Sequence, residues 1–124
     1  MRNDLNVFGQ PIELCSTKPL TGYFRDGCCN TDDSDVGIHT VCVILTEEFL
    51  KYSKLVGNDL STPIPQWNFP GLKPGDKWCL CAQRWLDAYK ENCAPKVYLE
   101  ATNERTLDLI PLEVLIQFAY KAQK

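Results

Sequence analysis

Val41-Cys42-Val43-Ile44-Leu45-Thr46-Glu47-Glu48-Phe49-Leu50 changes its apolar period within ten residues. The first five are a continuous apolar run rich in β-branched side chains, the pattern of a buried strand. Thr46 then stands where a helix N-cap belongs, and Glu47 and Glu48 occupy the first turn, where the helix dipole favours anions. Phe49, Leu50, Ser53 and Val56 share one helical face, and Gly57-Asn58 is a stop signal. A strand running straight into a helix is one β-α unit.

A second unit follows. Lys77 to Cys81 reads as a short strand, and Ala82, Trp85, Leu86, Tyr89 and Cys93 recur at helical spacing. The two units are expected to place their strands parallel, with helices on one face. Leu5 to Leu14 reads as two extended pieces around a turn at Gly9-Gln10-Pro11. Val97, Leu99 and Ala101 alternate with Tyr98 and Glu100, as in a half-buried strand. Pro111 opens a terminal helix whose apolar face is Leu112, Leu115, Ile116 and Ala119. The fold expected is α+β: a two-layer sandwich in which a small mixed sheet carries about three helices on one face. It forms one domain over residues 1–124. Two long loops, Cys15 to Thr40 and Asn58 to Asp76, lack a clear period, and such loops are more often functional than idle.

The 124 residues are 44% hydrophobic and 23% charged, with a net charge of −3. This excludes disorder and argues against nucleic acid or an anionic membrane as partner. No apolar run approaches the roughly 18 residues of a membrane-spanning helix. The opening Met1 to Phe8 has neither an apolar core nor a small-residue cleavage site, so it does not read as a signal peptide, and a cytoplasmic location is expected. There the seven cysteines would be reduced, and an odd number fits a closed disulfide framework poorly.

Several stretches are distinctive: Leu14-Cys15-Ser16-Thr17, Thr21-Gly22-Tyr23-Phe24-Arg25-Asp26-Gly27-Cys28-Cys29-Asn30-Thr31, His39-Thr40-Val41-Cys42, Gly57-Asn58-Asp59-Leu60-Ser61-Thr62-Pro63 and Phe69 to Ala82. Together they resemble a domain-of-unknown-function family, number twenty-two thirty-seven, of small bacterial and plant proteins. The resemblance spans about Leu5 to Tyr120 and implies one compact α+β domain, without an established activity. It also implies a histidine where this chain has Asn103, and marks Cys93 as peculiar to this chain.

Three constellations can carry chemistry. In Arg25-Asp26-Gly27-Cys28-Cys29-Asn30 and His39-Thr40-Val41-Cys42, the single histidine or Arg25 can lower a thiol pKa. Cys29 is then the candidate nucleophile, His39 its base and Arg25 an anion clamp, with Asp26, Cys28, Asn30 and Cys42 lining the site. The bland alternative is a tight turn whose cysteines are simply packed. Second, His39-x-x-Cys42 has ligand spacing, and Cys28, Cys79 and Cys81 add sulfurs, making zinc the alternative cofactor to none. Cys79-x-Cys81 on a strand would put two sulfurs on one face about 7 Å apart. Third, Asn58, Asp59 and Thr62 beside Trp67 and Phe69 suit a small polar ligand, or else serve turn chemistry. Trp67 and Phe69 also suit a protein-interaction surface. Arg84 lies off the apolar stripe and is expected in solvent or paired with Asp87 or Asp76. Nucleotide-loop, nucleophile-elbow and EF-hand patterns are absent. The leading expectation is a small-ligand or thiol-dependent site where the two loops meet; oligomeric state is left open.

Overall fold

The computed structural model describes residues 4–120. Met1 to Asn3, part of the leader reading, lie outside the described residues. Three strands, β1 (His39–Ile44), β2 (Lys77–Cys81) and β3 (Lys96–Val97), form a sheet in the order β2-β1-β3. Three α-helices, α1 (Glu47–Leu55), α2 (Ala82–Lys90) and α3 (Leu112–Ile116), complete an α+β domain.

The three strands pair antiparallel, so the two β-α units do not run parallel; the parallel contact is a single bridge from Val97 of β3 to Ala119. The cause is the second loop. It brings the chain back to the end of β1, where Leu45 donates to the Asp76 carbonyl and accepts from Gly75 N–H, each at 2.8 Å. β2 therefore starts where β1 stops. α1 forms as its sequence dictates, with the Thr46 hydroxyl accepting from Phe49 N–H at 3.0 Å.

Strand alternation gives the sheet two different faces. Val41 and Val43, opposite Leu80 and Trp78, join Phe49, Leu50, Trp85, Ala88, Ile110 and Leu115 in the main core. Trp85 is fully buried; its indole donates to the Pro95 carbonyl at 3.1 Å and its ring stacks on Tyr89. Cys42 and Cys79 face the other way and, with Cys15, Cys29 and Ala101, make a second, smaller cluster. The N-terminal segment closes this side. Glu13 accepts from the Tyr98 hydroxyl at 2.7 Å, a bond that, with burial, pushes the phenol up to about 12.

Three readings need correction. The alternation at Val97 to Ala101 is a two-residue strand followed by a 3-10 turn over Leu99–Ala101; both geometries bury the same three side chains. Cys93 is buried but lies past α2, which ends before Asn92 at φ 61°. Val56 caps α1 and is 45% exposed rather than packed.

Candidate functional site: a cleft between two loops

A cavity of about 540 Å³ opens where β1 begins and β2 ends. The first loop contributes Tyr23 and Arg25 to its wall, the second Asn58 and Leu60, β1 His39, β2 Trp78 and Cys81, and α2 Arg84. The two long loops thus converge on one concavity.

Each charged side chain has a local reason for its position. Arg25 sits at φ 56° in a turn closed by its N–H to the Gly22 carbonyl at 3.0 Å. Its guanidinium donates to the same carbonyl at 2.8 Å and lies over the Trp78 ring, 5.2 Å from the centroid. Asp35 has a fully buried side chain that accepts from the Thr31 hydroxyl at 3.0 Å, from His39 N–H at 2.8 Å and, at 2.7 Å, from His39 Nδ1. This bond places the ring proton on Nδ1 and leaves Nε2 as the nitrogen not engaged by Asp35. The His39 ring is also stacked against Tyr23, with centroids 6.1 Å apart. Gly37 is small by necessity: a Cβ there would stand 2.7 Å from His39 Cε1. His39 is paired across the strands with Cys81, whose thiol is free. The lining holds two arginines and the histidine but no carboxylate, in a chain with 16 acidic and 13 basic residues.

Of the residues expected from sequence, Arg25, His39 and Asn58 reach the cleft. Cys29 does not serve as the nucleophile in this state: it is fully buried and bonded to Cys79. Cys42 is likewise bonded to Cys15. Two disulfides correct the expectation of seven reduced thiols; the cysteines left free are Cys28, Cys81 and Cys93. Cys28 lies outside the cleft lining, and burial, reinforced by Asp26, pushes its thiol up. Asp26 holds the turn, accepting from Cys28 N–H at 3.0 Å and from Asn30 Nδ2 at 2.9 Å. Asp59 and Thr62 also serve a turn. The Thr62 hydroxyl donates to Asp59 at 2.6 Å and Ser61 N–H at 2.9 Å, holding that carboxyl below its ordinary value. In the disulfide-bonded form the alternative zinc set Cys28, His39, Cys42, Cys79 and Cys81 is not assembled, because the sulfurs of Cys42 and Cys79 are bonded to Cys15 and Cys29.

Sequence reasoning missed Tyr23, Asp35, Trp78 and Arg84 as members of this site, and named Cys81 only as an alternative zinc ligand. Asp35 stands four residues before the single histidine, and that spacing was the available signal. Arg84 turns into the cleft from the first turn of α2, while Asp87 accepts from Gln83 and Asp76 from Lys73 N–H. Trp67 is 73% exposed, whereas Phe69 packs edge-on against Trp78 at 5.7 Å. Among the described residues, no helix is long and apolar enough to cross a membrane.

Fold and site together define a small α+β domain with a cationic cleft held between two loops. The chain belongs to the family of uncharacterized proteins conserved in bacteria (DUF2237), whose model matches residues 5–119. No curated protein gives a significant match.

Proposed function

We propose that the domain binds a small molecule carrying an anionic group in the cleft between the loops. The observation that supports this most is the lining itself: Arg25 and Arg84 with no carboxylate among the lining side chains, in an acidic chain. A concave site walled partly by protein of low dielectric concentrates the field of those groups. Arg25, braced on Trp78 and the Gly22 carbonyl, is pre-organised to contact the anion, and Arg84 approaches from α2. His39, oriented by the buried Asp35, offers its Nε2 to a polar group of the ligand.

Titration of the labelled chain with inorganic phosphate and with acetate, followed by amide NMR, tests this. Shifts are expected at Arg25, His39, Cys81 and Arg84. Arg84→Ala should weaken binding about tenfold, the loss of about 1.4 kcal/mol from one charge-assisted contact. Responses scattered over the surface, unchanged by Arg84→Ala, would refute the reading.

A second reading, thiol chemistry in the same cleft, is favoured by one observation: Cys81 is a free cysteine in the lining and the cross-strand partner of His39. In it Cys81 replaces Cys29 as the nucleophile and His39 remains the base. Iodoacetamide at pH 6.5 should then label Cys81 ahead of Cys28, and His39→Gln should remove that preference. Equal, slow labelling of both would exclude it.

A further inference from the structure

The sheet face turned away from the main core carries a different chemistry. Cys15, Cys29, Cys42 and Cys79 cluster there with Ala101, none of the four more than 4% exposed. They come from separate segments. Cys42 and Cys79 are cross-strand partners on β1 and β2, and Cys15 and Cys29 reach them from the N-terminal side. The sulfurs of Cys15, Cys29 and Cys79 all lie within 4.8 Å of one another, and Cys42 is bonded to Cys15. Four thiolates on a tetrahedral zinc ion at about 2.3 Å stand about 3.8 Å from each other; the Cys15 sulfur lies no more than about 1 Å beyond that spacing from Cys29 and Cys79, which part once their bond is reduced.

We infer that this cluster is a redox-governed metal site. Oxidised, it is closed as two disulfides; reduced, its four thiolates hold one zinc ion. Cys79 also borders the cleft, but the site needs neither His39, Cys28 nor Cys81. The chemistry balances. Each disulfide accepts two electrons and two protons from a dithiol, which departs as its own disulfide. The four resulting thiols release four protons as they bind the divalent ion. Soft thiolates in tetrahedral array select zinc over magnesium or calcium. Because the sulfurs are buried and drawn from distant segments, loading the ion and docking the first loop on the sheet are one event. Cys15 N–H is anchored to the Gly27 carbonyl at 2.8 Å, which ties that ligand to the first loop.

The test uses the full chain, reduced with dithiothreitol, freed of it under nitrogen, and titrated with Co²⁺ and then Zn²⁺. Saturation is expected at one cobalt per chain. It should show an intense near-ultraviolet thiolate-to-cobalt band and the visible bands of a tetrahedral centre, both removed by Zn²⁺. The oxidised chain should show neither. A Cys28→Ser, Cys81→Ser, Cys93→Ser variant should keep the full spectrum, and Cys42→Ser should lose about a quarter of the charge-transfer intensity or all of it, as one ligand of four is removed. X-ray absorption of the zinc-loaded wild type, which needs no variant to fold, should find four sulfur neighbours at about 2.3 Å. The inference is overturned if the fully reduced chain, folded or unfolded, gives no saturable band. It is equally overturned if the triple variant loses the band, or if nitrogen or oxygen replaces sulfur around the ion.

Discussion

At the scale of single residues, environment rather than residue type separates the cysteines. Cys28 and Cys29 are adjacent in sequence, yet Cys29 is fully buried in a disulfide and Cys28 is a half-buried free thiol beside Asp26. Burial, and then the Asp26 charge, both disfavour the Cys28 thiolate. Its alkylation rate, followed by mass spectrometry against pH, should therefore rise with a midpoint above the ordinary value of 9.0. The sign for stability follows. The folded chain keeps this proton longer than the unfolded one, so the contribution is complete below the unfolded value and declines as pH climbs through the folded one. His39 shows the same principle: one histidine in a sequence is uninformative until a buried carboxylate, Asp35, orients its ring.

At the scale of elements, α1 and β2 were legible because their signals are local. A threonine cap, acids in the first turn and a glycine stop act within a few residues of one another. The cap bond from Phe49 N–H is 3.0 Å, and Thr46→Ala should cost about 1 kcal/mol in urea unfolding, leaving the sheet intact. β3 was misread because burial of Val97, Leu99 and Ala101 is compatible both with a strand and with a strand that breaks into a 3-10 turn. What breaks it is hydrogen bonding: Tyr98 N–H goes to the Cys42 carbonyl, but Ala101 N–H turns back to Tyr98. Strand direction was likewise not a local property. It depends on where the proline-rich loop returns the chain, which the bonds between Leu45 and residues 75–76 determine.

At the scale of the whole molecule, the two disulfides tie the N-terminal segment and the first loop to the sheet across sequence separations of 27 and 50 residues. On the chain-entropy account, closing such loops is worth about 3.5 and about 4 kcal/mol. Replacing Cys15 and Cys42 together by Ala, or Cys29 and Cys79 together, should lower the stability of the oxidised chain by about these amounts in urea titrations. The second pair should have the larger effect. A chain of this length can fold without such bonds, so both variants should still unfold cooperatively. Hydrophobic period, caps and turn residues specified an α+β domain with two long loops, because each of these acts over one or two turns of chain. Arg25, His39 and Asn58 could be nominated from the same loops. The pairing of cysteines, the burial of Asp35, the turning of Arg84 into the cleft and the antiparallel register all join residues far apart in sequence. They follow from which segments pack together, and no local pattern encodes that.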